Sequence, residues 1–175
     1  MQVSIVLVMS LDGRLTRGDD PNVHAWTSPE DWKNFLALRR QHDVLVMQRG
    51  TYETIKPEPD PKLLRIIMAT HPELYKDKTV KNQLEFVRPN PAAIAKDLAK
   101  RGYEHVLISG DTNITYDFLS AKLVDDIYVT IEPLMFGAGT PFMSGPRELN
   151  VHAQLKSVKQ LNDKGTLLLH YAIKR

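Results

Sequence analysis

The chain has 175 residues with Lys+Arg 23 against Asp+Glu 21, a formal net charge of +2, so it lacks the strong positive field of a nucleic-acid binder. Hydrophobic residues at 42% and charged residues at 25% match globular averages, which argues against a disordered, collagen-like or coiled-coil chain and leaves room for one well-packed domain. Cys 0 removes disulfides, Cys-based zinc sites and thiol nucleophiles, while leaving the redox compartment open.

The first predicted element is a buried strand over Val3 to Met9. The run is too short to span a bilayer and carries neither a basic leader nor a small-residue cleavage site. With no other stretch of membrane length, the expectation is a soluble, cytoplasmic protein with no membrane partner. SLDGR, Ser10 to Arg14, follows as a tight turn in which Asp-Gly supplies positive φ. Next comes W-x-x-P-x-D from Trp26 to Asp31, opening a helix with Ser28 as N-cap, Pro29 at the first helical position and Asp31 in the first turn. Trp32, Phe35, Leu36 and Arg39 form its expected inward stripe.

A second strand, Val44 to Met47, runs into MQRGTYE. There Arg49 and Thr51, beside free amides at a helix start, suit a phosphate. KPEPDPK, Lys56 to Lys62, is a surface loop because its prolines remove backbone donors. Strands follow over Arg65 to Ala69 and Val106 to Ser109, separated by a helix that Asn90-Pro91 opens and Gly102 closes. ISGDTN, Ile108 to Asn113, is again strand, glycine, helix, and its single glycine is not the G-x-G-x-x-G fingerprint. A shorter helix is expected from Asn113 to Lys122, then strands over Val124 to Glu132, Val151 to Leu161 and Gly165 to Ile173, the last two as an antiparallel hairpin. Near-continuous apolar character in the first four strands predicts a largely parallel sheet covered on both faces, an α/β/α layered fold. The six histidines are scattered without ligand spacing, so no metal site is expected.

In their order, SLDGR, W-x-x-P-x-D, M-x-R-x-T-Y-E, S-G-x-x-N and DDIYVTIEPLMFGAGTPF resemble the dihydrofolate-reductase-like superfamily. SLDGR, LRRQHDVLVM and LVDDIYVTIEPLMFGAGTPF are most similar to the reductase domain of riboflavin-biosynthesis enzymes, the RibD C-terminal type. W-x-x-P-x-D with Phe35, and R-x-T-Y-E-T-I, look more like dihydrofolate reductase itself. No deaminase signature accompanies them, since the chain has Cys 0 and no H-x-E motif.

That resemblance implies one reductase domain over 1–175 with the dihydrofolate-reductase-like fold, using NADPH to reduce a small heterocyclic substrate, and paired as a homodimer through its C-terminal strands. The leading substrate is a ribosylaminopyrimidine phosphate of riboflavin biosynthesis. Dihydrofolate is one alternative, and a degenerate, non-catalytic nucleotide-binding protein is another. The resemblance implies Asp31 as the acid holding the substrate, supported by Thr130, with Asp12, Arg14, Trp26 and Arg39 toward the substrate. Arg49 would face the adenosine 2′-phosphate and Thr51 the pyrophosphate, with Thr70, Gly110, Asp111 and Thr112 along the rest of the cofactor. Gln48 and Asp111 stand where the family usually has glycine. A carboxylate at the second position either points away from a pyrophosphate, weakens its binding or marks a lost cofactor.

Overall fold

The computed structural model describes residues 1–174. β1 (Gln2–Ser10) lies between β5 (His105–Ser109) and β6 (Asp126–Glu132), parallel to both. β2 (Val44–Gln48), β3 (Leu64–Met68) and β4 (Leu84–Val87) extend the parallel side from β5. β7 (Ala153–Gln160) and β8 (Leu167–Ile173) form the antiparallel hairpin, with β8 against β6. The sheet order is β4-β3-β2-β5-β1-β6-β8-β7. Six parallel strands therefore end at one edge, where Ser10 pairs with Glu132 and Gln48 with Met68. Open α/β sheets carry their ligands at such an edge.

Two apolar layers flank the sheet. α3 (Pro91–Lys100) and α4 (Thr112–Ser120) cover one face, where Leu98, Ile114 and Phe118 pack on Val3, Ile5, Val46 and Ile108. α1 (Pro29–Arg39) and α2 (Arg49–Ile55) cover the other with Leu38 and Tyr52 against Val6, Leu45, Met47 and Leu107. The expected three layers and near-parallel sheet are present. β1, β2 and β5 owe their nearly continuous apolar runs to this two-sided cover.

Several local expectations shift. α1 starts at Pro29 as predicted, capped by the Ser28 hydroxyl, which accepts from the Asp31 amide at 3.3 Å. Its inward stripe is rotated by one residue, however. Leu38 is buried, whereas Trp32 is 44% exposed, stacked on Phe35 with ring centroids 5.3 Å apart. The amphipathic rule sends the acid outward and the indole inward, but here Asp31 is turned toward the sheet. α4 begins at Thr112, before the expected Asn113, because the Asp111 carboxylate caps it by accepting from the Ile114 amide at 3.0 Å. It also ends earlier than Lys122, which adopts a positive φ of 56°. β4 and the helical turn Pro72–Lys78 were not anticipated. β4 has four residues, of which only Leu84 and Phe86 are buried, and its hold comes from Phe86 stacking on Tyr75 at 4.5 Å.

Gly110 is required by the chain's own packing. A Cβ there would lie 2.7 Å from the Thr115 hydroxyl and 3.1 Å from Ile5 Cγ2, both on residues with no exposed surface. Gly110→Ala is expected to lower stability in urea by about 1–3 kcal/mol, the usual cost of overpacking. Adding Thr115→Ala, which removes the obstructing hydroxyl, should recover part of that loss.

Candidate active site

The acid at the helix entry is the centre of the arrangement. Asp31 is half-buried on the sheet side of α1, and burial pushes its carboxyl up to about 6, with the negative charge of Glu132 adding to the rise. The buried Thr130 hydroxyl on β6 offsets part of this rise without closing a full hydrogen bond. Sequence reasoning had paired Asp31 with Thr130, and the fold brings them together. It missed Glu132, which is 3% exposed and lies two residues further along β6, on the same face as Thr130. Glu132 accepts from the Ser28 amide at 2.7 Å and from the Thr166 hydroxyl at 2.6 Å. The available signal was a carboxylate closing the apolar strand DIYVTIE at the edge where ligands bind.

The turn after β1 meets the loop after β6. The Asp12 carboxylate accepts from the Ser10 hydroxyl at 2.6 Å, the Phe136 amide at 3.1 Å and the Gly137 amide at 2.8 Å. Those donors, Ser10 foremost, hold its carboxyl down at about 2. Asp12, expected toward the substrate, thus has both oxygens engaged in joining two loops. Arg14 follows the same turn and donates to the Gly139 carbonyl at 3.3 Å. Gly139 has φ 129°, and a Cβ would meet the Thr16 carbonyl oxygen at 2.1 Å, so glycine is what lets the loops close. Trp26 is buried edge-on to Phe136 at 5.0 Å, completing the wall beside the helix entry.

Buried polar atoms in folded proteins nearly all have hydrogen-bond partners. Among the described residues, five side-chain atoms do not: Arg14 Nε, Trp26 Nε1, Arg39 Nε, Thr115 Oγ1 and Thr130 Oγ1. Four belong to residues already expected at the substrate or the acid. Arg39 lies two turns beyond Asp31 on the i, i+4, i+8 row through Phe35. It is close enough to Arg65 to disfavour that guanidinium's charge, to which burial contributes more. Arg65 is itself occupied, donating to the Glu58 carbonyl at 2.9 Å with Asp60 at 3.8 Å.

The residues expected along a dinucleotide divide into two groups. Arg49, Gly50 and Thr51 start α2 next to Thr70, which is exposed just beyond β3. Arg49 is exposed and ion-paired with Glu53 at 2.6 Å, and the Glu53 carboxylate also accepts from the Tyr75 hydroxyl at 2.8 Å. Space around Gly50 is open. At α4 the polar groups are turned inward. The Thr112 hydroxyl donates to the Pro141 carbonyl, and the half-buried Asp111 carboxylate accepts from α4's own amides, its carboxyl raised by burial. No group of three or more His, Asp or Glu among the described residues could hold a metal ion, and no helix there is long and apolar enough to cross a membrane.

Known proteins share this fold over nearly the whole chain. An uncharacterised protein of Bacillus subtilis strain 168, YwjB, is 23% identical over 178 residues, covering 95% of each chain. Among solved structures, a protein of Shewanella sp. PV-4 ascribed to riboflavin biosynthesis superposes with TM-score 0.78 at 23% identity, covering 100% of both chains. Saccharomyces cerevisiae riboflavin biosynthesis reductase Rib7 superposes with TM-score 0.69 at 18% identity, covering 99% of this chain and 90% of that one. The RibD C-terminal domain matches residues 2–167. By the match of nearly its whole length, the chain belongs to the RibD C-terminal domain family.

Proposed function

We propose that the protein is an NADPH-dependent reductase acting on a ribosylaminopyrimidine phosphate in riboflavin biosynthesis. The observation that carries this reading is the set of buried polar atoms without hydrogen-bond partners on Arg14 after β1, Trp26 before α1, Arg39 at the end of α1 and Thr130 on β6. A bound substrate would give them partners. Arg14 and Arg39 supply the cations a phosphate requires, and Trp26 Nε1 and Thr130 Oγ1 supply groups suited to a polar heterocycle. Dihydrofolate is the weaker reading: the resemblance to dihydrofolate reductase implies an arginine clamping the substrate's carboxylate near Leu63 or Leu64, and Arg65, reached by a one-residue shift, is engaged by Asp60 and Glu58.

The cofactor fits one side better than the other. Arg49, Thr51 and Thr70 offer donors around the open space at Gly50 and would hold the phosphate-bearing end. Asp111 opposes it, since its carboxylate already takes α4's amides and would repel a pyrophosphate. When bound, the reduced nicotinamide supplies a hydride. The protein holds the substrate in register for transfer, and orientation of that kind is worth about 7–11 kcal/mol of barrier. It must also provide a proton, and Asp31 retains one until pH about 6. We extend the reading to a cytoplasmic homodimer paired through β7–β8, supported by Leu155 and Val158, 48% and 55% exposed. Their partners Tyr171 and Leu169 sit two residues apart, which puts the two side chains on one face.

The decisive assay follows loss of NADPH absorbance with the aminopyrimidine ribosyl phosphate and, separately, with dihydrofolate. Turnover of the first alone is expected, and absence of NADPH binding would favour a non-catalytic protein. Asp31→Asn should lower turnover by about 10²–10⁴-fold, the usual worth of a general acid, with NADPH affinity retained. The wild-type rate should fall as pH rises through about 6, where Asp31 loses its proton. The same raised carboxyl contributes stability that is complete below pH 4 and lost as pH rises through about 6. Wild type should therefore lose stability relative to Asp31→Asn between pH 4 and pH 6 in paired urea titrations.

Asp111→Gly should tighten NADPH roughly fivefold by fluorescence titration, the equivalent of the ~1 kcal/mol repulsion of two charges 4 Å apart in water. The lost cap should cost only a few tenths of a kcal/mol, glycine being a tolerated N-cap. Sedimentation should give a dimer that Val158→Lys dissociates.

A further inference from the structure

Glu132 is a buried carboxylate for which the described residues show no ion pair. Burying such a group is costly unless its oxygens are well satisfied. Its two hydrogen bonds lead in opposite directions. On one side the Ser28 amide donates to Oε1, while the Ser28 hydroxyl accepts from the Asp31 amide at 3.3 Å. On the other, the Thr166 hydroxyl donates to Oε2 and accepts from the Asn162 amide group at 2.9 Å. Asn162 also donates to Glu30 on α1 at 3.2 Å, and its carbonyl oxygen accepts from the Lys164 and Thr166 amides at 3.1 and 3.2 Å.

We propose that Glu132 is a positioning residue for the acid: through Ser28 and Thr166 it fastens the first turn of α1 to the β7–β8 turn and so fixes where the Asp31 carboxyl stands. The inference deepens the proposed function and rests on its reading of Asp31. The connection runs from Thr166 to Glu132 to Ser28 to Asp31 without a gap. Both Glu132 oxygens receive a donor, and the anchor also presents its negative charge to the acid. Two other polar groups face this quarter. Glu30 is held by Asn162, with Lys33 on α1 and Lys164 on the turn acting on it, while Thr130 is the neutral hydroxyl from β6. The β7–β8 turn thereby becomes part of the site without reaching substrate.

The test is a carbon-13 NMR titration of the Asp31 carboxyl in the full chain, assigned with Asp31→Asn, together with hydrogen exchange of the Ser28 amide. Glu132→Gln keeps an acceptor for Ser28 and removes the charge. It should move the Asp31 midpoint down from about 6 toward the ordinary carboxyl range, and an unchanged midpoint would overturn the proposal. If that variant fails to fold, Thr166→Val and Thr166→Ser carry the question. Thr166→Val should speed Ser28 exchange and displace the Asp31 midpoint, and Thr166→Ser, which restores the hydroxyl, should return both. Wild-type values for both readouts in Thr166→Val would sink the coupling. Neither measurement needs turnover, so a wild-type protein that fails to oxidise NADPH would defeat the functional reading and leave this one standing.

Discussion

Parallel pairing of β1 with β5 on one side and β6 on the other constrains everything at the site. The register sets Ser10 opposite Glu132, so that β1 and β6 end level, and Val6 opposite Ser109, so that β5 stops four residues short of the end of β1. The turn at Asp12, the helix start at Asp111 and the loop at Phe136 must then leave from one edge. Because side chains alternate along a strand, the same register sends Thr130 and Glu132 to the α1 face together. A slip of one residue would turn both into the opposite apolar layer. The surroundings of Asp31 thus depend on backbone hydrogen bonds between strands.

Asp31 illustrates how the surroundings of an acid set its charge. Water would keep it ionised at neutral pH, but partial burial and the neighbouring Glu132 favour the neutral form. The cost is stability at neutral pH, and the arrangement persists because Ser28 and Thr166 satisfy Glu132 from both sides. Asp111 presents the opposite case. Its carboxylate is made comfortable by α4's own amides, the groups an incoming phosphate would seek.

Much of this was legible in the sequence, for identifiable reasons. β1, β2 and β5 announced themselves because strands buried on both faces are apolar almost throughout, and α1 and α3 because Ser28-Pro29 and Asn90-Pro91 are strong starts. β4 was hidden because LEFV is only four residues long and carries Glu85 between its two buried side chains. The α1 stripe was misread because one inward acid outweighs the usual phase of a surface helix. Asp31 and Thr130 were found through family resemblance, whereas Glu132 was passed over because a charged residue at a strand end is ordinarily solvated. Its burial arises from Ser28 and Thr166, 104 and 34 residues away, a coincidence that no local pattern encodes.

The hairpin leaves β7 as the outermost strand, with an unpaired backbone ladder and every residue exposed. An edge of that kind can recruit strands from other molecules and grow into fibrils. Here the pairing with β8 is interrupted between Leu155 and Ser157, at Lys156, and Lys159 stands three residues further on. The kink breaks the straight template that a foreign strand would need, and each lysine would have to give up its hydration to admit one. The border is accordingly resistant to amyloid-like extension while its side-chain face stays available.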